Sequence, residues 1–147
     1  MERLLFLDAC VRGPELSRTW RLCQRFLEEY TTLHPQAQVC HRDLRESLPI
    51  LTGELARQRD GWIARGEDDP RLTPCLPPAR EIASADLVVV GAPYWDLSFP
   101  AVLKVYLEWS SALGITFRYD EDGRQVGLSQ ARALVYLTSA GGPVEGQ

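Results

Sequence analysis

Lysine is nearly absent from this chain of 147 residues: Lys104 is the only one, and arginine supplies the rest of the positive charge. No apolar run is long enough to cross a bilayer; the longest, around residues 87–92 and 134–137, fall far short of the twenty residues a spanning helix needs. Nothing at the N-terminus resembles a basic region, apolar core and cleavage site in series, so no secretory signal is read and a cytoplasmic location is expected. The formal net charge of −4 argues against a nucleic-acid partner, since binding there rests on displacing counterions with a basic surface. A membrane partner is equally unexpected. The four cysteines, Cys10, Cys23, Cys40 and Cys75, include no C-x-x-C pair, which disfavours a zinc site or a disulfide framework and predicts reduced, mostly buried thiols. No metal site is expected: Asp120, Glu121 and Asp122 read as a charged turn, and His34 and His41 as solvated or structural histidines. Neither G-x-G-x-x-G nor a P-loop occurs, and no Ser/His/Asp triad is visible.

What is present is an ordinary soluble composition, 45% apolar and 24% charged, in a chain the size of one domain. Residues 3–9 form a compact apolar segment, as in a strand buried on both faces. Leu22, Cys23, Phe26, Leu27, Tyr30 and Leu33 then recur at helical spacing, until Pro35 ends the helix. Residues 38–43 alternate polar and apolar, which suits a strand near a sheet edge. Between residues 44 and 78 the periodicity weakens among glycines and prolines, with Leu55, Trp62 and Ile63 as anchors; a covering segment is expected. A short helix over 79–84 leads into 86–92, whose Leu87, Val88, Val89 and Val90 predict a central parallel strand. Ser98 is the expected N-cap of a broadly apolar helix with Pro100 in its first turn, running to about Leu113 and stopped by Gly114. That width of apolar face calls for a second packing partner. A hairpin over 116–128 and a fourth parallel strand over 131–138 complete the pattern.

Strands alternating with helices in this way predict an α/β fold with right-handed crossovers and no internal domain boundary. A sheet ending on a buried-type strand would expose it, so further C-terminal sequence is expected to be missing. In such sheets ligands bind beyond the C-terminal ends of the strands. Three loops lie there. The first, residues 9–19, offers Ser17, Thr19 and the arginines Arg12 and Arg18 at a helix mouth, where hydroxyls, arginines and unpaired N–H groups suit a phosphate; Ser17 is equally well explained as a helix cap. The second, Pro93, Tyr94, Trp95, Asp96 and Leu97, places two aromatics where they can flank a planar ring or pin the loop to the core. The third, Ser139, Ala140, Gly141 and Gly142, lets backbone approach a ligand closely, or simply turns.

The run from Ala92 through Pro100, continuing to Leu103, Lys104 and Tyr106, resembles the FMN-dependent NADH-azoreductases and related NAD(P)H:quinone reductases. So does Gly114-Ile115-Thr116-Phe117-Arg118-Tyr119 followed by Gly123, Gly127 and Leu128, and so does the Ser139–Gly142 turn. The resemblance implies a flavodoxin-like three-layer sandwich with parallel strand order 2-1-3-4, the fifth strand missing, and residues 1–147 as one C-terminally incomplete FMN-binding domain. It implies a homodimer that moves two electrons from NADH or NADPH to quinones or azo compounds by a ping-pong route. By the same resemblance Ser17, Arg18 and Thr19 hold the phosphate, while Pro93, Tyr94, Trp95, Asp96 and Leu97 form one flavin loop. Ser139, Ala140, Gly141 and Gly142 form the other, with Gly141 and Gly142 N–H groups facing the pyrimidine edge, and Trp95 and Tyr119 border the substrate pocket. No catalytic side chain is implied, because the reacting atom is flavin N5. Relatives often carry a phosphate-contacting serine near position 9, where this chain has Ala9 and Cys10. A non-catalytic partner-binding module and a one-electron flavodoxin-type carrier are the alternatives.

Overall fold

The computed structural model describes residues 1–46, 48–65 and 77–142. Its elements are β1 (Glu2–Asp8), the single turn α1 (Gly13–Leu16), α2 (Arg18–Leu33), β2 (Ala37–Asp43), α3 (Gly53–Arg65), α4 (Pro77–Ser84), β3 (Leu87–Gly91), α5 (Ala101–Ser110), β4 (Phe117–Tyr119), β5 (Gln125–Gly127) and β6 (Ala133–Leu137). β2, β1, β3 and β6 form one parallel sheet in that order, while β4 and β5 pair as a separate antiparallel hairpin. This is the expected order 2-1-3-4, with β6 as the fourth parallel strand. β2 lies at one edge and β3 inside, as their polar alternation and valine run predict.

Alternation along β1 sends side chains to two cores, one on each sheet face. Leu4 and Phe6 join Leu87, Val89, Cys23 and Leu27, under α2. Leu5 and Leu7 join Val88, Val90, Leu103 and Tyr106, under α4 and α5. Helices on both faces of a parallel sheet make the three-layer sandwich. Each side chain fully buried in these cores contributes about 1.5–3 kcal/mol.

Several local expectations are corrected. The segment 44–78 contains a 13-residue helix, α3; residues 47 and 66–76 lie outside the described set, Cys75 with them. Its apolar stripe is broken by Arg59, which sits between Leu55 and Trp62 on the packed side. Arg59 donates from Nη1 to the Glu108 carbonyl at 2.9 Å and lies over the Trp109 ring, 6.0 Å from its centroid. Trp62 and Ile63 pack on Ala79 and Ala112, and α4 lies against α5, so the rest of the domain gives the apolar width of α5 a further partner.

α5 is capped by Pro100, not Ser98, and ends at Ser110 rather than Leu113. The stop comes from Thr116: its hydroxyl donates to the Ser110 carbonyl at 2.7 Å and accepts the Ala112 N–H at 2.9 Å, replacing the next helical turn. On α2, Leu22 and Leu33 are exposed, and Thr19, Cys23 and Leu27 form the buried stripe. Of the described cysteines, Cys10 and Cys23 are buried and Cys40 is exposed. β6 turns Val135 and Leu137 towards the α2 core but leaves Leu134 and Tyr136 exposed on the other face.

Polar groups at the sheet ends are tied down. Arg42 pairs with Glu81, which also accepts the Tyr106 hydroxyl at 3.0 Å; burial together with the Glu81 charge holds that phenol well above its usual range. At the opposite end of the chain's pairing, the Arg3 N–H held by Asp86 keeps that carboxyl below the ordinary carboxylate range. No described helix is long and apolar enough to cross a membrane.

Candidate FMN site

β1 ends at Asp8, whose buried carboxylate organises the first loop. Oδ1 accepts the Cys10 N–H at 2.9 Å, and Oδ2 lies 2.9 Å from His41 Nε2, whose ring stacks on Phe6. His41 is thus structural, and His34 likewise stacks on Tyr30. Gly13, at φ +82, then turns the chain through α1 into Ser17. Ser17 Oγ accepts the Trp20 N–H at 3.0 Å and caps the 16-residue helix α2. Capping and anion binding are compatible, because the cap engages one N–H and leaves the rest of the first turn at the helix's positive end. Ala9 and Cys10, where relatives often have a serine, are fully buried. Cys10 points back towards Gly91, and contact with Cys23 together with burial pushes its thiol far above the usual range. That position therefore belongs to the core.

The second loop follows β3. Trp95 and Ser98 bond to each other through both backbone pairs, Trp95 N–H to the Ser98 carbonyl at 3.0 Å and the reverse at 2.8 Å. The two residues between them, Asp96 and Leu97, adopt φ +47 and +64. Both signs are those of a primed hairpin turn, which normally takes Asn-Gly or Asp-Gly. Aspartate tolerates this conformation; leucine does so at a cost of about 1–2 kcal/mol. Leu97 is 78% exposed, so little burial offsets that cost. Leu97→Gly is accordingly expected to raise Tm by about 3 °C, in line with about 1 kcal/mol in a domain of this size; an unchanged or lower Tm in a thermal melt would show that leucine contacts hold the turn instead. Strain of this kind gathers at ligand-binding segments.

The third loop follows β6 and bonds to both of the others. The Ser139 carbonyl accepts the Tyr94 N–H at 2.9 Å, and the Ser139 hydroxyl lies 2.7 Å from that of Thr19. A Cβ added at Gly141 or Gly142 would meet no atom within 4 Å, so the space beside their backbone is open.

Together the loops line one cleft of about 400 Å³, bounded by Arg12, Leu16, Ser17, Arg18, Thr19, Pro93, Tyr94, Trp95, Ser139, Ala140 and Gly141. One wall carries two guanidiniums and a helix N-terminus; another carries two aromatic rings beside open backbone. That division suits a planar ring with an anionic tail, and the volume lies within the ordinary range for small-molecule sites. FMN has this shape, and the residues present fit it. Ser17, Arg18 and Thr19 would receive the phosphate and residues 93–95 and 139–141 the ring.

Not every residue picked from the sequence reaches the cleft. Asp96, Leu97 and Gly142 stand just outside its lining. Tyr119 lies on the β4–β5 hairpin, 58% exposed and edge-on to Phe117, and does not line it. Asp120, in the turn of that hairpin, accepts the Asp122 and Arg124 N–H groups. Arg12, the other arginine of the first loop, lines the cleft as well, and so does Leu16, which carries no polar signal in the sequence.

A family model described as a flavodoxin-like fold matches residues 2–147. The chain is 36% identical to FMN-dependent NADH:quinone oxidoreductase 2 of Clostridium acetobutylicum, over 97% of this chain and 69% of that one. It is 33% identical to the FMN-dependent NADH:quinone oxidoreductase of Coprothermobacter proteolyticus, with the same coverage of both. The crystal structure of an azoreductase from Bacillus anthracis superposes with a TM-score of 0.86 at 28% identity, covering all of this chain and 73% of the other. This chain therefore belongs to the flavodoxin-like family that includes the FMN-dependent NADH:quinone oxidoreductases.

Proposed function

We propose that residues 1–147 form a single FMN-binding domain of an oxidoreductase that passes electrons from NADH or NADPH to quinones or azo compounds. The observation that carries this reading is the convergence of three sequence-distant loops on one cleft, with guanidiniums on one wall and aromatic rings on another. Membership of a family whose relatives are named FMN-dependent NADH:quinone oxidoreductases supports both the cofactor and the class of reaction.

When bound, FMN would supply the two-electron redox chemistry that links the nicotinamide to the acceptor. The protein's own groups bind and orient. Arg12 and Arg18 attract the phosphate, and the first turn of α2 presents N–H donors to it. Tyr94 and Trp95 give the ring an apolar wall, and the open backbone at Gly141 permits close approach of N–H groups to developing negative charge. No side chain of the cleft is required as a general acid. We further propose that donor and acceptor use one site in turn, a ping-pong order, and that the enzyme acts as a homodimer in the cytoplasm.

The test is anaerobic. Purified protein loaded with FMN should lose its visible absorption on addition of NADH or NADPH and regain it on addition of a benzoquinone. Steady-state oxidation of the nicotinamide should give parallel double-reciprocal lines. Intersecting lines would replace the ping-pong order with a ternary complex. A loaded protein that is not bleached by either nicotinamide is a carrier or a binding module instead.

A further inference from the structure

We infer that Arg45, just beyond β2, is a positioning residue for the phosphate: packed over Gly13, it fixes the turn that carries the chain into Ser17 and the start of α2. This deepens the FMN reading above and rests on it for its consequence, though not for its geometry. Gly13 is the buried residue of α1, and the Arg45 guanidinium stands over it, with Nη1 2.8 Å from where a Cβ would be. The Gly13 carbonyl accepts the Ser17 N–H at 2.9 Å, so the placing of that glycine is passed on to the cap of α2. Asp43 in turn holds Arg45. Its carboxylate accepts from Nε at 3.0 Å and from Nη2 at 2.6 Å, and Oδ1 also takes the Arg45 backbone N–H at 2.9 Å. Those bonds keep the Asp43 carboxyl below the ordinary carboxylate range. The same end of β2 is tied to the root of the loop: the Leu44 N–H donates to the Asp8 carbonyl at 2.9 Å, and His41 meets the Asp8 carboxylate. β2 thus braces the first loop at Asp8 and at Gly13, from outside the lining of the cleft.

A brace and a bare charge behave differently. A guanidinium keeps one place and one orientation when its fork meets two carboxylate oxygens, which a lysine ammonium cannot do. A positive charge that merely attracts anions needs no fork, and it works better once a neighbouring carboxylate is neutralised. Loosening the brace blurs the phosphate subsite alone. Every phosphate-bearing ligand should suffer, and the ring by itself should not.

The experiment measures affinities of the whole chain for FMN, for inorganic phosphate by competition, and for lumiflavin, which is the ring without the ribityl phosphate. For Arg45→Met the expected result is an equal loss of FMN and phosphate, by about three- to five-fold, as suits an exposed ion pair. Lumiflavin should bind as it does to wild type. Arg45→Lys keeps the charge without the fork and should lose as much. Asp43→Asn removes a negative charge near an anion subsite, yet it should weaken FMN too, because the fork loses its carboxylate. Wild-type affinity in Arg45→Lys, tighter FMN binding in Asp43→Asn, or a matching loss of lumiflavin overturns the brace. Thermal melts without ligand test the geometry separately. Gly13→Ala should cost less in an Arg45→Ala background, where the new methyl no longer meets Nη1 and only the strained φ remains. Strictly additive losses would show that Arg45 does not stand over Gly13. A wild-type protein that binds no FMN overturns the functional reading, and the melts still decide whether Arg45 holds the turn.

Discussion

Replacing Gly91 with alanine is expected to destabilise the protein by about 1–3 kcal/mol, the usual penalty for forcing a methyl group into a packed interior. A Cβ there would stand 2.5 Å from Cys23 Sγ, 3.2 Å from Phe6 Cε1 and 3.4 Å from Cys10 Sγ. The first distance is one that real carbons do not adopt, and its neighbours are buried on α2 and in the β1 loop. Nor can the strand simply shift. Gly91 pairs with Asp8 and its carbonyl accepts the Ala9 N–H at 2.8 Å, at the point where the chain leaves the sheet for the first loop. The structure also names the remedy. Cys23→Ala removes the sulfur responsible for the worst contact, so the double variant should recover most of the loss. Thermal or urea melts of the four proteins decide it: a double variant that is as unstable as the sum of its parts would show that the clash lies elsewhere.

The second large effect concerns the arginines. Removing both Arg12 and Arg18 should weaken FMN binding by about a hundred-fold while leaving lumiflavin nearly unchanged. Hydrogen bonds to charged groups contribute about 1.5–3 kcal/mol each, and the exposure of both side chains places them at or below the low end of that range. Two such contacts amount to about 2–3 kcal/mol, which is the hundred-fold stated, at 1.4 kcal/mol per factor of ten. Because the contacts are ionic and exposed, the difference between wild type and variant should shrink as salt is raised. Titrations of FMN and lumiflavin at low and high salt test this. Equal losses for both ligands would mean that the arginines support the loops and do not meet the phosphate.

Much of the sheet was legible because its inner strands are apolar on both faces. β1 and β3 feed two cores, and a run such as Leu87–Val90 admits few other readings. β2 announced its edge position by its polar alternation. What escaped the sequence has particular causes. α3 hides because an arginine stands where a leucine normally packs: the Arg59 guanidinium lies over the Trp109 ring, so the apolar period is interrupted where the helix meets α5. The end of α5 depends on a hydroxyl six residues beyond it, Thr116, which no local stop signal encodes. Gly91 reads as an ordinary strand residue until two cysteines, from the β1 loop and α2, are brought against the place a Cβ would take.

The site was legible at the level of loops and less so at the level of residues. Sheet topology alone sends the ends of β1, β3 and β6 to one side, so three candidate loops had to meet if the sheet was parallel. Which side chains face inward was a different matter. Arg12 lines the cleft just before the positive-φ turn at Gly13, and Tyr119 is carried off on the β4–β5 hairpin, a sheet apart from the parallel one. The role of Ser139 as the joint between the other two loops depends on contacts 120 and 45 residues away in sequence, which composition cannot reveal.

The central claim is that one flat, phosphate-tailed cofactor spans all three loops. A crystal structure of the protein with FMN tests it most directly. The account predicts phosphate at the first turn of α2, within hydrogen-bond reach of Ser17 and Arg18, and the ring between Tyr94 and Gly141. Phosphate bound elsewhere, or a ring that leaves either of those loops untouched, would contradict it.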